Sequence, residues 1–154
     1  MFHIVLVEPE IPANTGNIAR LCAATGSTLH LIRPLGFRMD DAAMRRAGMD
    51  YLDIAAIVEH DSLQECLREV VASVYYLSTK ATRPYWETKF QNGDYLVFGR
   101  ETRGLPEELL HRQQDRAVTI PMREPRARSL NLATAVGVVL YEAIRQNHSP
   151  DGNG

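Results

Sequence analysis

The sequence predicts an α/β domain with a mostly parallel sheet and flanking helices. The first observation behind this is order: short β-type runs alternate with helix-type segments along the whole chain. The second is that two late β-type runs open onto unusual loops, Gly99-Arg100-Glu101-Thr102-Arg103-Gly104 and Met122-Arg123-Glu124-Pro125-Arg126-Ala127-Arg128. The third is Ser129-Leu130-Asn131, which heads an almost wholly apolar segment from Leu132 to Leu140. Open parallel sheets bind ligands beyond the carboxyl ends of their strands. These loops are therefore expected to converge on one pocket.

His3–Val7 reads as the first strand, with no basic region before it and no cleavage site, so it is not a signal peptide. The first helix is expected to start at Asn14 or Thr15, whose side chains would take orphan backbone donors, and to stop at Gly26. Thr28–Arg33 is the second strand. A helix from about Asp40 to Gly48 has acidic residues first and Arg45-Arg46 late, as the helix dipole favours. A weak strand is expected near Leu52–Ile57. Ser62-Leu63-Gln64-Glu65 is a capping box that opens a third helix. Val74–Ser78 and Tyr95–Phe98 are strands, Pro106-Glu107-Glu108 opens a short fourth helix, and Ala117–Ile120 is the last strand. A fifth helix follows Ser129 and runs to about Gln146. The polar tail from Ser149 to Gly154 is expected to fray.

That last helix is apolar on nearly every side. Leu132, Val136, Val139, Leu140 and Ala143 make one face, while Ala133, Ala135, Gly137 and Val138 fill the others. Such a helix needs burial on its sheet side and on its outer side. In a domain of this size, a second subunit is the simplest outer cover.

Composition sets the remaining bounds. A chain of 154 residues with 45% hydrophobic content fits one domain with a real core. No apolar run approaches the ~20 residues of a membrane span. Cys22 and Cys66 make neither a disulfide framework nor a metal site, and read as reduced packing residues of a cytoplasmic protein. The histidines (His3, His30, His60, His111 and His148) are scattered without metal-ligand spacing, so no metal is expected. A net charge of -2 argues against binding nucleic acid by bulk electrostatics. Of 17 basic residues, however, all but Lys80 and Lys89 are Arg, whose planar fork matches phosphate. Arg100, Arg103, Arg123, Arg126 and Arg128 cluster in the two unusual loops.

Three constellations carry the chemistry, each with a plainer reading beside it. Asn14-Thr15-Gly16-Asn17-Ile18-Ala19-Arg20 is in part a capped helix start, but Arg20 among Ile18, Ala19, Leu21 and Cys22 calls for a carboxylate or phosphate partner. The Gly99–Gly104 loop has the glycine spacing of a phosphate loop, yet Leu105-Pro106 replaces the Lys and Ser/Thr that a nucleoside triphosphatase needs. A dinucleotide fingerprint is also missing after the first strand, where Glu8-Pro9-Glu10-Ile11-Pro12 stands. The loop suits backbone wrapping around a flat ligand, or is a plain turn. Ser129 and Asn131 both sit where one cap suffices, and the arginines before them are either a solvated face or a phosphate grip.

Taken in this order, the three motifs resemble those of the SPOUT-superfamily RNA 2′-O-ribose methyltransferases: Asn14–Arg20, Phe98–Gly104, and Ile120-Pro121-Met122 with Ser129-Leu130-Asn131-Leu132. The resemblance covers essentially the whole chain, 1–154, as a single domain. It is closest to a minimal type that methylates the wobble nucleotide, cytidine or modified uridine, of leucine tRNAs. It implies an α/β sheet whose C-terminal part threads a deep trefoil knot, a homodimer, S-adenosylmethionine as methyl donor, and no metal. By position it implies a cofactor site of Leu77, Gly99, Glu101, Ile120, Met122, Ser129 and Leu130. It further implies that Arg20, Ser129 and Asn131 serve catalysis. Asn14, Arg123, Arg126, Arg128 and Tyr141 are then expected to meet tRNA. Guanidinium normally stays protonated, so Arg20 is read as a clamp on phosphate and emerging oxyanion. Deprotonation by the substrate phosphate, or by a strongly perturbed Arg20, is the other route. Three readings compete with this one: methylation of another tRNA or rRNA site, a non-catalytic RNA-binding module, and a nucleotide-binding regulatory domain.

Overall fold

In the computed structural model, which describes residues 1–149, all the strands of one six-stranded sheet run parallel. They are β1 (His3–Val7), β2 (Thr28–Ile32), β3 (Ala56–His60), β4 (Val74–Leu77), β5 (Tyr95–Phe98) and β6 (Ala117–Val118). Their spatial order is β3-β2-β1-β5-β4-β6, so the chain starts in the middle, builds one flank, then returns to build the other. The helices are α1 (Pro12–Thr25), α2 (Ala42–Gly48), α3 (Leu63–Leu67), α4 (Glu107–Arg112) and α5 (Leu132–Gln146).

Alternation along the central strands divides the core in two. Ile4, Leu6, Leu29, Leu31, Leu96 and Phe98 face α1 and α5, where Ile18, Cys22, Val136, Val139 and Leu140 meet them. Val5, Val7, Ile32, Tyr76 and Val97 face the other way, against Cys66 of α3 and the Leu109-Leu110 pair of α4. A strand covered on both faces reads as a continuous apolar run, which is why β1 and β5 were legible at once. Burial pushes the Cys22 thiol up to about 12 and that of Cys66 to about 11, so neither is a reactive thiolate.

Several boundaries moved, each for a physical reason. The weak strand expected near Leu52–Ile57 is instead Ala56–His60, because Met49–Asp53 is taken up by a 3₁₀ turn after α2. β3 is an edge strand with little apolar cover, so its pattern was faint. The second strand ends at Ile32 and the fourth at Leu77, one residue short of expectation. The last ladder holds only Ala117 and Val118, and Thr119 continues it as a single bridge to Pro84. α1 starts at Pro12, earlier than expected, since proline is preorganised for the first helical position. Asn14 and Thr15 therefore lie inside the helix and do not cap it: both are buried, and the Thr15 hydroxyl finds no hydrogen-bond partner. The α1 C-terminus falls where expected, at Gly26 in the left-handed region. α2 begins at Ala42, with the Asp41 carboxylate accepting from the Ala43 and Met44 N–H groups. Ser62 caps α3 through the Glu65 N–H. Residues 150–154, most of the tail expected to fray, lie outside the described residues.

α1 and α2 cross at Gly16. A Cβ there would lie 2.3 Å from the Met44 carbonyl oxygen and 2.9 Å from the Ala47 Cβ. Gly16→Ala should therefore push α2 off α1. An overpacking cost of about 1–3 kcal/mol would appear as a melting temperature several degrees lower. An unchanged thermal melt would show that this crossing has slack.

Candidate active site

A cavity of about 410 Å³ opens beyond the carboxyl ends of β4, β5 and β6. Its lining comes from four stretches: the start of α1 (Ile11, Asn14), Leu77–Lys80, Phe98–Leu105, and the segment from Thr119 into α5. The volume lies within the ~300–1,000 Å³ typical of small-molecule sites. Leu77, Ile120, Leu130 and Leu132 supply aliphatic walls, and the residues just past the strand ends complete the lining. That combination suits a flat heterocycle held between aliphatic side chains and read by main-chain hydrogen bonds.

Two loops are locked together beside the cavity. The Glu101 carboxylate accepts the backbone N–H groups of Glu10 (2.8 Å) and Ile11 (3.1 Å). In return, Glu10 accepts the Thr102 N–H (3.0 Å) and hydroxyl (2.8 Å), and these bonds hold its carboxyl below the usual range. Arg100 donates to Glu8, the residue directly after β1, at 2.7 Å. Glu8 itself sits at φ 52°, a left-handed conformation uncommon for a non-glycine residue. Glu101 thus lines the cavity while its carboxylate is already satisfied by main-chain donors. Its first job is to fix the loop.

The loop's own backbone requires glycine at position 99. A Cβ at this position would lie 2.0 Å from the Gly104 carbonyl carbon and 2.2 Å from the Leu105 nitrogen. The constraint is the loop folding back on itself, closed by the Gly104 N–H to Arg100 C=O bond of 2.8 Å. Close approach of a ligand is not needed to explain it.

Every residue expected in the cofactor site lines this one cavity: Leu77, Gly99, Glu101, Ile120, Met122, Ser129 and Leu130. So do Asn14, Arg128 and Asn131. Asn131 caps α5 by accepting the Thr134 N–H at 3.2 Å, and donates to the Asn14 side-chain oxygen at 3.1 Å. This bond joins the first and third motifs directly. Ser129 is exposed and takes no part in the cap, leaving its hydroxyl at the rim.

Arg20 is the principal exception. It is exposed on α1, does not line the cavity, and donates to the Met49 sulfur at 3.1 Å. Its guanidinium lies over the Tyr51 ring, 5.4 Å from the centroid. Among the described residues no carboxylate pairs with Arg20, so of the two partners expected for it a phosphate remains. Arg123, Arg126 and Tyr141 are also exposed outside the cavity lining, and Arg126 is paired with Glu124. Sequence reasoning missed Ser78, Thr79 and Lys80, which line the cavity next to Leu77. Their signal was their place just past the end of a buried strand.

Comparison with known proteins bears on the fold and the family. The model of the SpoU rRNA methylase family matches residues 1–141. A tRNA (cytidine(34)-2′-O)-methyltransferase of Saccharophagus degradans is 51% identical over 148 residues, covering 95% of this chain and 96% of the relative. A solved structure reported under the description "Structural insights into the 2-OH methylation of C/U34 on tRNA" superposes with a TM-score of 0.90 at 49% identity, covering 96% of each chain. An AdoMet-bound rRNA methyltransferase from Sinorhizobium meliloti has a TM-score of 0.85 at 27% identity, covering 96% of this chain and 57% of that one. With the family model matched across both loops and into the last helix, the chain belongs to the SpoU rRNA methylase family.

Proposed function

We propose that this chain is a tRNA 2′-O-ribose methyltransferase that moves a methyl group from S-adenosylmethionine to cytidine or modified uridine at wobble position 34. The observation that carries this reading is the 51% identity, end to end, to an enzyme named for that reaction. We further propose leucine tRNAs as the substrates, a single catalytic domain over residues 1–154, a C-terminal trefoil knot, a homodimer, and a cytoplasmic location. No helix among the described residues is long and apolar enough to cross a membrane. Mass spectrometry of position 34, after incubating the purified protein with S-adenosylmethionine and unmodified leucine tRNA, tests the substrate. Methylation at another tRNA or rRNA position would replace it.

The cavity fits the methyl donor by size and by its mix of aliphatic walls and main-chain edges. When bound, S-adenosylmethionine supplies an electrophilic methyl group on a sulfonium. Leu77, Ile120 and Leu130 would flank its adenine. Met122 and the Gly99–Glu101 turn line the same cavity, and Ser129 stands at its rim. Methyl transfer needs no metal for this, because the leaving group departs neutral. Leu130 is 40% exposed, so Leu130→Ala should leave the fold intact. It should weaken cofactor binding about tenfold in calorimetry, the scale of one lost aliphatic contact. Gly99→Ala should lose binding and thermal stability together, since its Cβ meets the loop's own backbone. Normal cofactor affinity in both variants would place the cofactor elsewhere.

Arg20 is too far round α1 to line its own chain's cavity. In our reading a partner subunit's Arg20 completes each site, where it clamps phosphate and the developing 2′-oxyanion. Asn14 and Asn131 orient the ribose beside it, and Arg123, Arg126, Arg128 and Tyr141 hold tRNA. Arg20→Ala should bind S-adenosylmethionine normally and melt within a few degrees of wild type, because it loses only surface contacts. Its turnover should fall by roughly 10²-fold or more, the scale for losing a transition-state charge stabiliser. Near-normal turnover in Arg20→Lys would replace the bidentate clamp with simple charge.

The dimer reading rests on α5. Val136, Val139, Leu140 and Ala143 are fully buried, while Ala133, Ala135, Gly137 and Val138 are only half covered. A Cβ at Gly137 would meet only Leu21, at 3.9 Å, so the chain itself has room there. Gly137→Arg should therefore disturb assembly more than folding, giving monomers by light scattering. An unchanged, active dimer would move the interface off this face.

A further inference from the structure

The parallel register gathers on one sheet face three histidines that the sequence leaves far apart. His30 in β2 stands opposite Val5, and His60 in β3 stands opposite Ile32, so the residues step diagonally from His3 across three strands. His3 Nδ1 lies 2.9 Å from His30 Nε2, and His30 Nδ1 lies 2.9 Å from His60 Nε2. Tyr95 stacks flat on His3 with ring centroids 4.1 Å apart. Cys66 of α3 packs over the same face, and the ligating atoms of His30, His60 and Cys66 all lie within 4.8 Å of one another. None of these residues lines the cavity of the proposed active site.

We propose that His30, His60 and Cys66 form a binding site for a thiophilic transition-metal ion of the zinc(II) class, separate from the methyl-transfer site. Two imidazoles and one thiolate match the donor preference of zinc, with water completing four-coordination. Two strands and a helix supply the ligands, so the ion would tie the edge strand β3 to β2 and α3. His3 acts behind the ligands. If His30 gives its Nε2–H to His3, its Nδ1 lone pair points toward His60 and Cys66, which fixes the tautomer a metal ligand needs. Tyr95, stacked on His3, holds that ring in place. Zinc–nitrogen distances set two ligating nitrogens about 3.3 Å apart. The His30–His60 hydrogen bond must therefore open by about 0.4 Å, and the Cys66 sulfur must swing inward as it loses its proton. His60 is only half-buried and provides the way in.

The test uses the full chain after chelation, with zinc and, as a spectroscopic stand-in, cobalt(II). The wild-type protein should bind one ion per chain, show a thiolate-to-cobalt charge-transfer band, and melt at higher temperature with zinc. Cys66→Ser should lose the band, and His60→Gln should lose the zinc-dependent rise in melting temperature. His3→Ala should keep the band but bind about 10–100-fold more weakly, as loss of an outer-shell partner does. If Cys66→Ser folds poorly, His60→Gln carries the test alone, because that side chain is half-exposed. No band and no thermal shift in wild type would overturn the site. So would a band that survives in Cys66→Ser, or a thermal shift unchanged in His60→Gln.

Discussion

Two reciprocal carboxylates hold the working end of this molecule together. Glu101 receives main-chain donors from the loop after β1, and Glu10 receives a main-chain donor and a hydroxyl from the loop after β5. Hydrogen bonds to charged acceptors are among the stronger ones, and four of them here span adjacent central strands. Without this clasp the Gly99–Gly104 turn would be a surface loop beside an open strand end. With it, the turn becomes one wall of a cavity whose opposite wall is the α5 entry. The Asn131–Asn14 bond then closes the third side, joining the two helix starts that flank the cavity.

The clasp also explains the odd sequence after the first strand. Glu8-Pro9-Glu10-Ile11-Pro12 replaces the glycine-rich turn of dinucleotide-binding folds. Its acids are committed to holding Arg100 and Thr102, and its last proline starts α1 without a side-chain cap. Glu8 in a left-handed conformation is a local cost of order 1–3 kcal/mol. The ion pair with Arg100 and the Glu8 N–H bond to the Ile32 carbonyl over-determine that geometry.

The parallel sheet was readable because strands buried on both faces leave unbroken apolar runs, as in Ile4-Val5-Leu6-Val7. β3 was not, because an edge strand answers to its neighbour's backbone more than to its own side chains. The cavity residues were readable because strand ends in a parallel sheet must face one way. The surroundings of Arg20, though not its proposed role, read wrongly for a related reason. Its neighbours in sequence are buried, but on a helix adjacent residues point in different directions, so Arg20 is exposed between Ala19 and half-buried Leu21. The histidine row was invisible for the opposite reason. His3, His30 and His60 meet only through strand register, which no spacing rule along one chain expresses.

The Asn131–Asn14 bond joins residues 117 positions apart, and the Glu10–Glu101 clasp spans 91. The cavity is therefore closed only when the start of the last helix arrives. On the ribosome, the amino-terminal half can pair β1 with β2 and dock α1 long before residue 131 has been made. That half presents a strand flank until β5 is made, and an uncovered apolar helix face until α5 follows. Such surfaces are the ones chaperones bind. Cofactor affinity thus doubles as a gauge of completed folding, since a chain stalled short of its last helix holds the whole sheet and most of the cavity lining but lacks the wall that α5 and its entry supply.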